Sequence, residues 1–258
     1  MSEEPRAWEG VLAHIEAQLV DGRLHPGDHL PPERTLAAEL TVGRSSVREA
    51  IRVLEAMGLV RTQTGSGPSS GAIIVARPVG GMQALMRLQV AASGFPVADV
   101  VRTRLLLETA VATDLAERSA DVDLADARHL LDAMDDPELT AQEFLALDAQ
   151  FHLALAEASD NSVVSAMMAG LRNSIEGYVL AGSARIPSWQ RMAERLRTEH
   201  RGVLAAVTAG DATEARTRIR DHISDYAATL VDSDATPATP APTATPAPTA
   251  HERSSDHG

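Results

Sequence analysis

The chain has 258 residues, 44% of them hydrophobic, which is enough to form two ordinary domains. No apolar run could cross a bilayer, and the acidic N-terminus lacks the features of a signal peptide. The expected location is therefore the cytoplasm. The absence of cysteine excludes disulfides, thiolate metal sites and a cysteine nucleophile, so any metal ion has to be held by imidazole and carboxylate groups. The formal net charge of −13 argues against nonspecific nucleic-acid binding, so any DNA affinity must come from a local arrangement of basic side chains.

The first predicted elements form a helix-turn-helix. An amphipathic helix over residues 7–24 is followed by two shorter helices at about 32–40 and 44–57, with a tight turn at 41–43. The last of these carries arginines at four-residue steps, opposite its apolar side: Arg44, Arg48 and Arg52. Such steps drift by only ~40° around the helix axis, so these arginines form one ridge that can lie in a DNA major groove. Arginine reads guanine with two parallel hydrogen bonds, and we therefore expect Arg44 and Arg48 to read bases and Arg34 to contact phosphate.

A short β-hairpin is predicted directly after the second helix of this motif. Two β-rich runs, at 59–62 and 72–75, enclose the Gly/Ser-rich segment TGSGPSSG. A hairpin in this position is the wing of a winged helix, and Gly65, Ser66 and Gly67 can bring backbone N–H groups and a hydroxyl close to phosphate or the minor groove. The alternative is a flexible turn without a binding role.

These segments resemble the winged-helix domain of GntR-type bacterial transcription regulators, through HPGDHLPPERTLA, VGRSSVREA, LEAMGL and GSGPSSG. The resemblance implies binding of double-stranded operator DNA by a set of residues on the two helices and the wing: Arg34, Arg44, Ser45, Ser46, Arg48, Gly65, Ser66 and Gly67. Thr41 stands where the family usually has a turn Gly, and Gly43 where it usually has an N-cap Ser. Because Gly is an acceptable N-cap, we expect the same fold.

Four regions of the chain are expected from composition and periodicity. Residues 1–76 are predicted to form the winged helix-turn-helix domain, and residues 77–81 a linker with Pro and two Gly. Residues 82–231 are predicted to form an all-helical bundle, with helices at about 82–93, 97–118, 122–134, 140–158, 162–184, 188–209 and 212–231. The Pro/Ala/Thr-rich residues 232–258 are predicted to be a disordered tail. The fold class is therefore mainly α.

Four polar residues fall on apolar faces of three helices in this bundle. Asp148 and His152 lie four residues apart on the inward side of one helix, whereas His200 and His222 interrupt the apolar stripes of the last two. Burying them would be costly without a binding partner, and a divalent ion is such a partner: Zn, Ni, Mn or Fe(II). Taken singly, each His is more often a satisfied core or boundary histidine, whereas the four residues together favour a metal site.

The segments RLLLE, DAQFHLALAEASDN and EHRGVLAAVTAGDATEARTRIRDHI resemble the ligand-binding domain of the FadR subfamily of these regulators. The resemblance implies a divalent metal, with Zn the first candidate, held by Asp148, His152, His200 and His222, and a small carboxylate effector that completes the metal site. It also implies effector contact by Arg104, for which an internal salt bridge to Glu108 is the alternative role. The run MDDPELTAQEFLALDAQFH, with the wing, is similar in particular to actinobacterial lactate-responsive regulators, so L-lactate is the first candidate effector.

These patterns together predict a homodimeric, ligand-responsive transcription repressor and not an enzyme. The bundle is expected to dimerise and to position two winged helices on a palindromic operator. Effector binding would then change the spacing between the two winged helices. One alternative is a non-haem iron enzyme that uses a two-His-one-carboxylate face, although the helical setting and the fourth ligand argue against it. The other is a pure metal sensor, in which the ion itself is the signal.

Overall fold

The computed structural model describes residues 6–63, 71–75, 79–92 and 94–235 and confirms the mainly α fold class. Within these ranges the chain forms ten helices and one antiparallel pair of strands. Their bounds are α1 Ala7–Val20, α2 Glu33–Glu39, α3 Arg44–Ala56, β1 Val60–Gln63, β2 Gly71–Ile74, α4 Val79–Ala91, α5 Val97–Glu117, α6 Ala125–Ala133, α7 Ala141–Ala158, α8 Ser162–Ser183, α9 Trp189–Thr208 and α10 Ala212–Ala235. None of the helices in this described part could span a membrane.

The three N-terminal helices and the hairpin share one apolar core. Val11, Leu36 and Val47 are fully buried in it, and Val60 and Ile74 join them from the two strands. These positions recur at helical spacing on the helices, so the core side of each element follows from the sequence pattern. The arginine ridge of α3 is left on the outside.

Helix α1 is shorter than the predicted span of residues 7–24. It ends at Val20, because Gly22 takes a left-handed conformation with φ 66° and the N–H groups of Arg23 and Leu24 turn back to the carbonyl of Gln18. This arrangement satisfies a helix-end carbonyl that would otherwise lack a partner.

The turn between α2 and α3 explains why Gly is usual at position 41 in this motif. Thr41 has φ 55°, a left-handed conformation that is costly for a β-branched residue. The N–H of Val42 donates to the carbonyl of Ala37 and closes the turn. Gly43 then begins α3 as its N-cap without a side-chain cap.

The hairpin is formed as predicted, with Val60 opposite Ile74 and Gln63 opposite Gly71. Each strand is displaced by one residue from its predicted position. The backbone around His29 pairs with β2, which fastens the hairpin to the rest of the N-terminal core. Gly65, Ser66 and Gly67 lie outside the described residues.

The C-terminal helices pack around a second apolar core. Its largest buried side chains come from four helices: Leu115, Phe144, Phe151, Leu196 and Ile219. Thr140 and Glu143 form a reciprocal capping box that starts α7, and the Asn161 side chain caps α8. Helix α4 packs along α8, where Met86 joins a smaller cluster around Met168.

The predicted ends of three C-terminal helices were inaccurate. Helix α4 begins at Val79, three residues before its predicted start and within the predicted linker of residues 77–81. Helix α6 begins at Ala125 and not at residue 122, because the Asp123 side chain accepts a hydrogen bond from the N–H of Ala125 and turns the preceding chain away from the helix. Helix α10 extends to Ala235, four residues past its predicted end. The predicted tail from residue 236 onward lies outside the described residues, as does part of the predicted linker.

Candidate metal and effector site

The structure brings together the four residues predicted to hold a metal. Asp148 and His152 project from α7, His200 from α9 and His222 from α10, and all four are buried. One donor atom of each lies within 4.8 Å of the donor atoms of the other three. These four residues are called the four-donor cluster below.

The spacing of the donors matches the size of a metal ion. The Nε2 atom of His222 lies 3.2 Å from the Nε2 atoms of both His152 and His200. Asp148 Oδ1 lies 3.1 Å from His200 Nε2 and 3.7 Å from His152 Nε2. Two ligands that each bind one ion at about 2.0–2.1 Å must be roughly 3–3.5 Å apart, so these atoms are spaced as ligands of one ion.

Two carboxylates orient the imidazoles for metal binding. Glu108, on α5, accepts a hydrogen bond from Nδ1 of His152, and Oε2 of Glu199 lies 2.8 Å from Nδ1 of His222. A carboxylate on Nδ1 fixes the proton there, so the lone pair on Nε2 points at the centre of the cluster. Nitrogen lone pairs that face one another need a cation between them, and the donor set therefore fits a divalent ion such as Zn²⁺.

The charge states of the cluster suit a ligand set at neutral pH. Burial lowers the pKa of His152 to about 3, with a further contribution from the nearby Arg172 guanidinium, and burial also lowers the pKa of His200. Burial alone would raise the pKa of Asp148, but Arg172 and the hydrogen bond to His200 hold it well below its usual range. His152 and His200 are thus neutral and the carboxylate of Asp148 is ionised, as metal binding requires.

Arg104 forms the internal salt bridge that was the alternative to an effector contact. Its Nε donates to Oε1 of Glu108 over 2.8 Å, and both side chains are buried. The same arginine also lines the cavity beside the four-donor cluster. Glu108 therefore connects Arg104 to His152, and the pKa of Glu108 is held below its usual value by these two partners in spite of burial.

Sequence reasoning missed Arg172, a second buried arginine at this site. Its Nη2 donates to Oδ2 of Asp148, while Nη1 lies 3.8 Å from Glu108 Oε1 and has no hydrogen-bond partner within the described chain. A signal was present, since Met168 and Ile175 flank Arg172 at helical spacing and are both buried. The polar neighbours Asn173 and Ser174 obscured that stripe.

A cavity of about 760 Å³ opens beside the four-donor cluster, between α5, α7, α8 and α10. Its polar end contains groups from all four helices: Arg104, Asp148, Arg172, His222 and Tyr226. The Tyr226 hydroxyl is buried without a hydrogen-bond partner among the described residues, and burial raises its pKa. The cavity therefore ends in cationic and hydroxyl donors next to the four-donor cluster, an arrangement suited to an anionic ligand.

The candidate DNA contacts of α2 and α3 lie on the surface. Arg34, Arg44 and Ser45 are exposed and Ser46 is partly so. Arg48 is also exposed, but it forms a two-pronged ion pair with Glu33 of α2, with N–O distances of 2.8 and 3.2 Å. An arginine held in this way must exchange a carboxylate for a base edge or phosphate on binding DNA, which sequence reasoning did not foresee.

Comparison with known proteins agrees with both halves of the structure. The bacterial regulatory proteins of the gntR family match residues 8–68, and the FCD domain matches residues 99–225. The chain is 30% identical over 223 residues to the HTH-type transcriptional regulator LutR of Bacillus subtilis (strain 168), covering 80% of this chain and 92% of that protein. It is 28% identical over 230 residues to the putative L-lactate dehydrogenase operon regulatory protein of Escherichia coli (strain K12), covering 85% and 84% of the two.

A solved structure supports the fold. Streptococcus agalactiae GntR aligns with a TM-score of 0.60 at 24% identity, covering 86% of this chain and 99% of that one. The chain therefore belongs to the GntR family of bacterial regulatory proteins and is a ligand-responsive transcription regulator with an FCD domain, not an enzyme.

Proposed function

We propose that this regulator is a homodimeric repressor of the FadR subfamily whose bundle holds a divalent ion, Zn²⁺ first, in the four-donor cluster and senses a carboxylate there. The observation that carries the proposal is the convergence of three imidazole Nε2 atoms and one carboxylate oxygen beside a cavity lined by two arginines. Neutral imidazoles facing one another in a buried site are stabilised by a cation. When bound, the ion supplies a Lewis-acid centre for carboxylate oxygens.

The effector is expected to bind across the ion and the arginines. A 2-hydroxy acid offers two oxygen donors, which suits an ion that retains open positions, and Arg104 offers a planar fork for the carboxylate. L-lactate is the first candidate, because one relative is named as a regulator of an L-lactate dehydrogenase operon. Glu108 holds Arg104 in place and so links effector binding to the position of His152.

DNA binding is assigned to the two helices and the wing of the N-terminal half. We propose that Arg44, Ser45, Ser46 and Arg48 enter the major groove of an operator and that Arg34 contacts phosphate. Their surface positions on α2 and α3 support this proposal. Gly65, Ser66 and Gly67 of the wing complete the proposed set. Dimerisation through the bundle would present two such surfaces to a palindromic operator.

Effector binding reaches the operator only through a difference in affinity between two conformations. Helix α8 carries Arg172 at the cavity and packs along α4, the first helix after the proposed linker. A displacement of α8 by the effector would thus be transmitted to α4 and the linker. This route gives the proposed repressor a physical connection from the effector to the DNA-binding half.

The function is tested by calorimetry of the zinc-loaded protein with L-lactate, pyruvate, glycolate and citrate, together with electrophoretic mobility shifts on its operator. Arg104→Ala should weaken effector binding by about 1.5–3 kcal/mol, the range for a hydrogen bond to a charged group. Arg102→Ala is the matched control, since Arg102 is exposed on the same helix and pairs only locally with Asp99. Heat from none of these acids would overturn the carboxylate proposal, and operator release by the metal alone would identify a metal sensor.

A further inference from the structure

The cavity extends away from its polar end mainly in one direction along every helix that lines it. From the charged or metal-binding residue of each helix, most of the lining continues in one direction along the helix, although Ala149 and Gln150 also line the cavity beyond Asp148 in the other direction of α7. These stretches are 97–104 on α5, 142–148 on α7, 172–180 on α8 and 222–230 on α10. The cavity is therefore a slot with the polar groups at its inner end.

The length of the slot follows from helix geometry. Each stretch covers seven to nine residues, that is six to eight steps along the helix. At about 1.5 Å per step the slot is roughly 9–12 Å long. Its walls beyond the polar end are mainly aliphatic: Val97, Val101, Leu145, Ile175, Val179 and Leu230. A ligand that filled the slot would therefore place apolar groups against these walls.

A three-carbon acid occupies only the inner end of this slot. With bonds of about 1.5 Å such an acid is roughly 5 Å long, which leaves about half of the slot unfilled. A volume of about 760 Å³ is within the range of sites that enclose a drug-sized ligand, roughly 300–1,000 Å³. The polar end specifies an acid, but the slot is too long and too apolar for the smallest ones.

We propose that the effector of this protein is an amphipathic acid, with a 2-hydroxy or 2-oxo carboxylate head at the polar end and an apolar tail in the slot. The tail is an alkyl chain of roughly four to six carbons, given bonds of about 1.5 Å, or an aromatic ring. This inference rests on the proposed carboxylate effector and replaces L-lactate with a longer member of the same chemical class. Arg172 and Tyr226, each with a buried donor unpartnered in the described chain, face the head.

The test is calorimetry of the zinc-loaded full chain with a homologous series: L-lactate, then 2-hydroxybutanoate, 2-hydroxyhexanoate, 2-hydroxyoctanoate and 2-hydroxydodecanoate, with phenyllactate as the aromatic member. Each added methylene should tighten the Kd about four-fold, because burying one is worth ~0.8 kcal/mol. The gain should stop at the length that fills the slot, near 2-hydroxyoctanoate. Pyruvate and 2-oxooctanoate repeat the comparison for 2-oxo acids.

A substitution that fills the slot separates this inference from nonspecific binding of longer acids. Val179→Phe, on the α8 wall, should remove the gain from the tail while leaving L-lactate binding within about two-fold. Ala227→Phe repeats the test from α10 if the first variant fails to fold. Val163→Phe is the control, since Val163 is exposed on the same helix away from the cavity.

The outcomes separate this inference from the proposed function. A chain-length gain that Val179→Phe removes and Val163→Phe retains supports the amphipathic effector. Equal or weaker binding of the longer acids, with L-lactate bound, overturns this inference and leaves the carboxylate sensor intact. Binding of no acid at any length overturns both the inference and the carboxylate sensor. A chain-length gain that persists equally in all three variants overturns the assignment of the tail to the slot.

Discussion

Glu108 has three partners at the candidate site. It accepts from Arg104 and His152 and lies 3.8 Å from the free Nη1 of Arg172. Since it is buried, its charge is stabilised only by these groups, and they in turn depend on it. Glu108 therefore positions both a metal ligand and a candidate effector contact without being either one.

Replacement of this carboxylate should loosen the metal site. Glu108→Gln is expected to reduce zinc affinity by about 10–100-fold, because the amide no longer fixes the proton of His152 on Nδ1. Competition with a zinc-binding dye measures the effect. Glu117→Gln, an exposed change on the same helix, should leave the affinity unchanged. Equal affinity in the two variants would show that Glu108 has no positioning role.

The depressed pKa of His152 predicts acid sensitivity of the metal-free protein. The folded group stays neutral down to about pH 3, whereas the unfolded chain takes up a proton near pH 6.5, so the free energy of unfolding falls as the pH drops through this window. The loss should reach about 1.4 kcal/mol per pH unit for this residue, and His200 adds to it in the same direction. Carboxylates with lowered pKa values, such as Glu108, add to this loss of stability only below about pH 4.5.

Urea unfolding of the metal-free protein between pH 7 and pH 5 measures this slope. His152→Gln should make it shallower, because the variant lacks one of the protons taken up on unfolding. His129→Gln removes an exposed imidazole from α6 and should leave the slope of the free energy of unfolding with pH unchanged. A stability that is independent of pH in this range would contradict the assignment of a buried neutral imidazole.

The four donors could be predicted from the sequence, whereas their supporting residues could not. Asp148 and His152 stand out because they are polar residues at positions that the periodicity of their own helix predicts to be apolar. Recognising them requires no knowledge of the neighbouring helices. Glu108 and Glu199 lie on other helices than the histidines they contact, so their role depends on helix packing that periodicity does not specify. The slot beyond Arg104 is likewise a property of four packed helices and was not foreseen.

At the scale of elements, the helix-turn-helix contains a strained position that the sequence identified as unusual. Thr41 takes the left-handed conformation that favours Gly. The conformation costs a non-glycine residue about 1–2 kcal/mol, while glycine would lose roughly 0.5–1 kcal/mol to unfolded-state entropy. Thr41→Gly should therefore raise the free energy of unfolding by about 0.5–1 kcal/mol.

Chemical denaturation of the full chain, followed by the transition of the N-terminal half, checks this expectation. Thr35→Gly is the control, because Thr35 lies within α2 and the same replacement should lower stability there by about 0.3 kcal/mol, the difference in helix propensity between the two residues. Destabilisation by both substitutions would mean that the Thr41 side chain contributes more than its backbone conformation costs.

The ends of the elements were predicted less well than their existence. Helix α1 ends just before a left-handed Gly22, and α6 begins after Asp123, whose side chain accepts from the N–H of Ala125; both residues were visible in the sequence. The apolar periodicity continued past each of them and was given more weight. Local hydrogen bonding at helix ends decides these boundaries, and it competes with periodicity over only one turn.

At the scale of the whole molecule, a net charge of −13 requires that DNA binding depend on position and not on overall charge. The exposed arginines of α3 supply a local cationic ridge, and the Glu33 partner of Arg48 reduces its attraction for random DNA. In the proposed homodimer, affinity for an operator comes from two correctly placed ridges. The proposed effector response would therefore act on their relative position.

The packing of α4 on α8 provides a test of how the effector changes that position. A side chain at Gly170 would begin 3.1 Å from Met86 Cγ and 3.8 Å from the Gln83 Cα atom of α4, so Gly170→Leu must displace α4. Gly177→Leu is the matched control on the same helix, since its added carbon meets nothing within 4 Å. Gly170 does not line the cavity, and effector affinity in the absence of DNA should change little in either variant.

Coupling between effector and operator is measured by titrating effector with and without operator DNA. By linkage, the factor by which DNA weakens effector binding equals the factor by which effector weakens DNA binding, and it typically corresponds to about 1–3 kcal/mol. Gly170→Leu should reduce this factor, because α4 can no longer follow α8, whereas Gly177→Leu should retain it. The same coupling in both variants and the wild type would exclude the α8–α4 contact as the route from the cavity to the DNA-binding half.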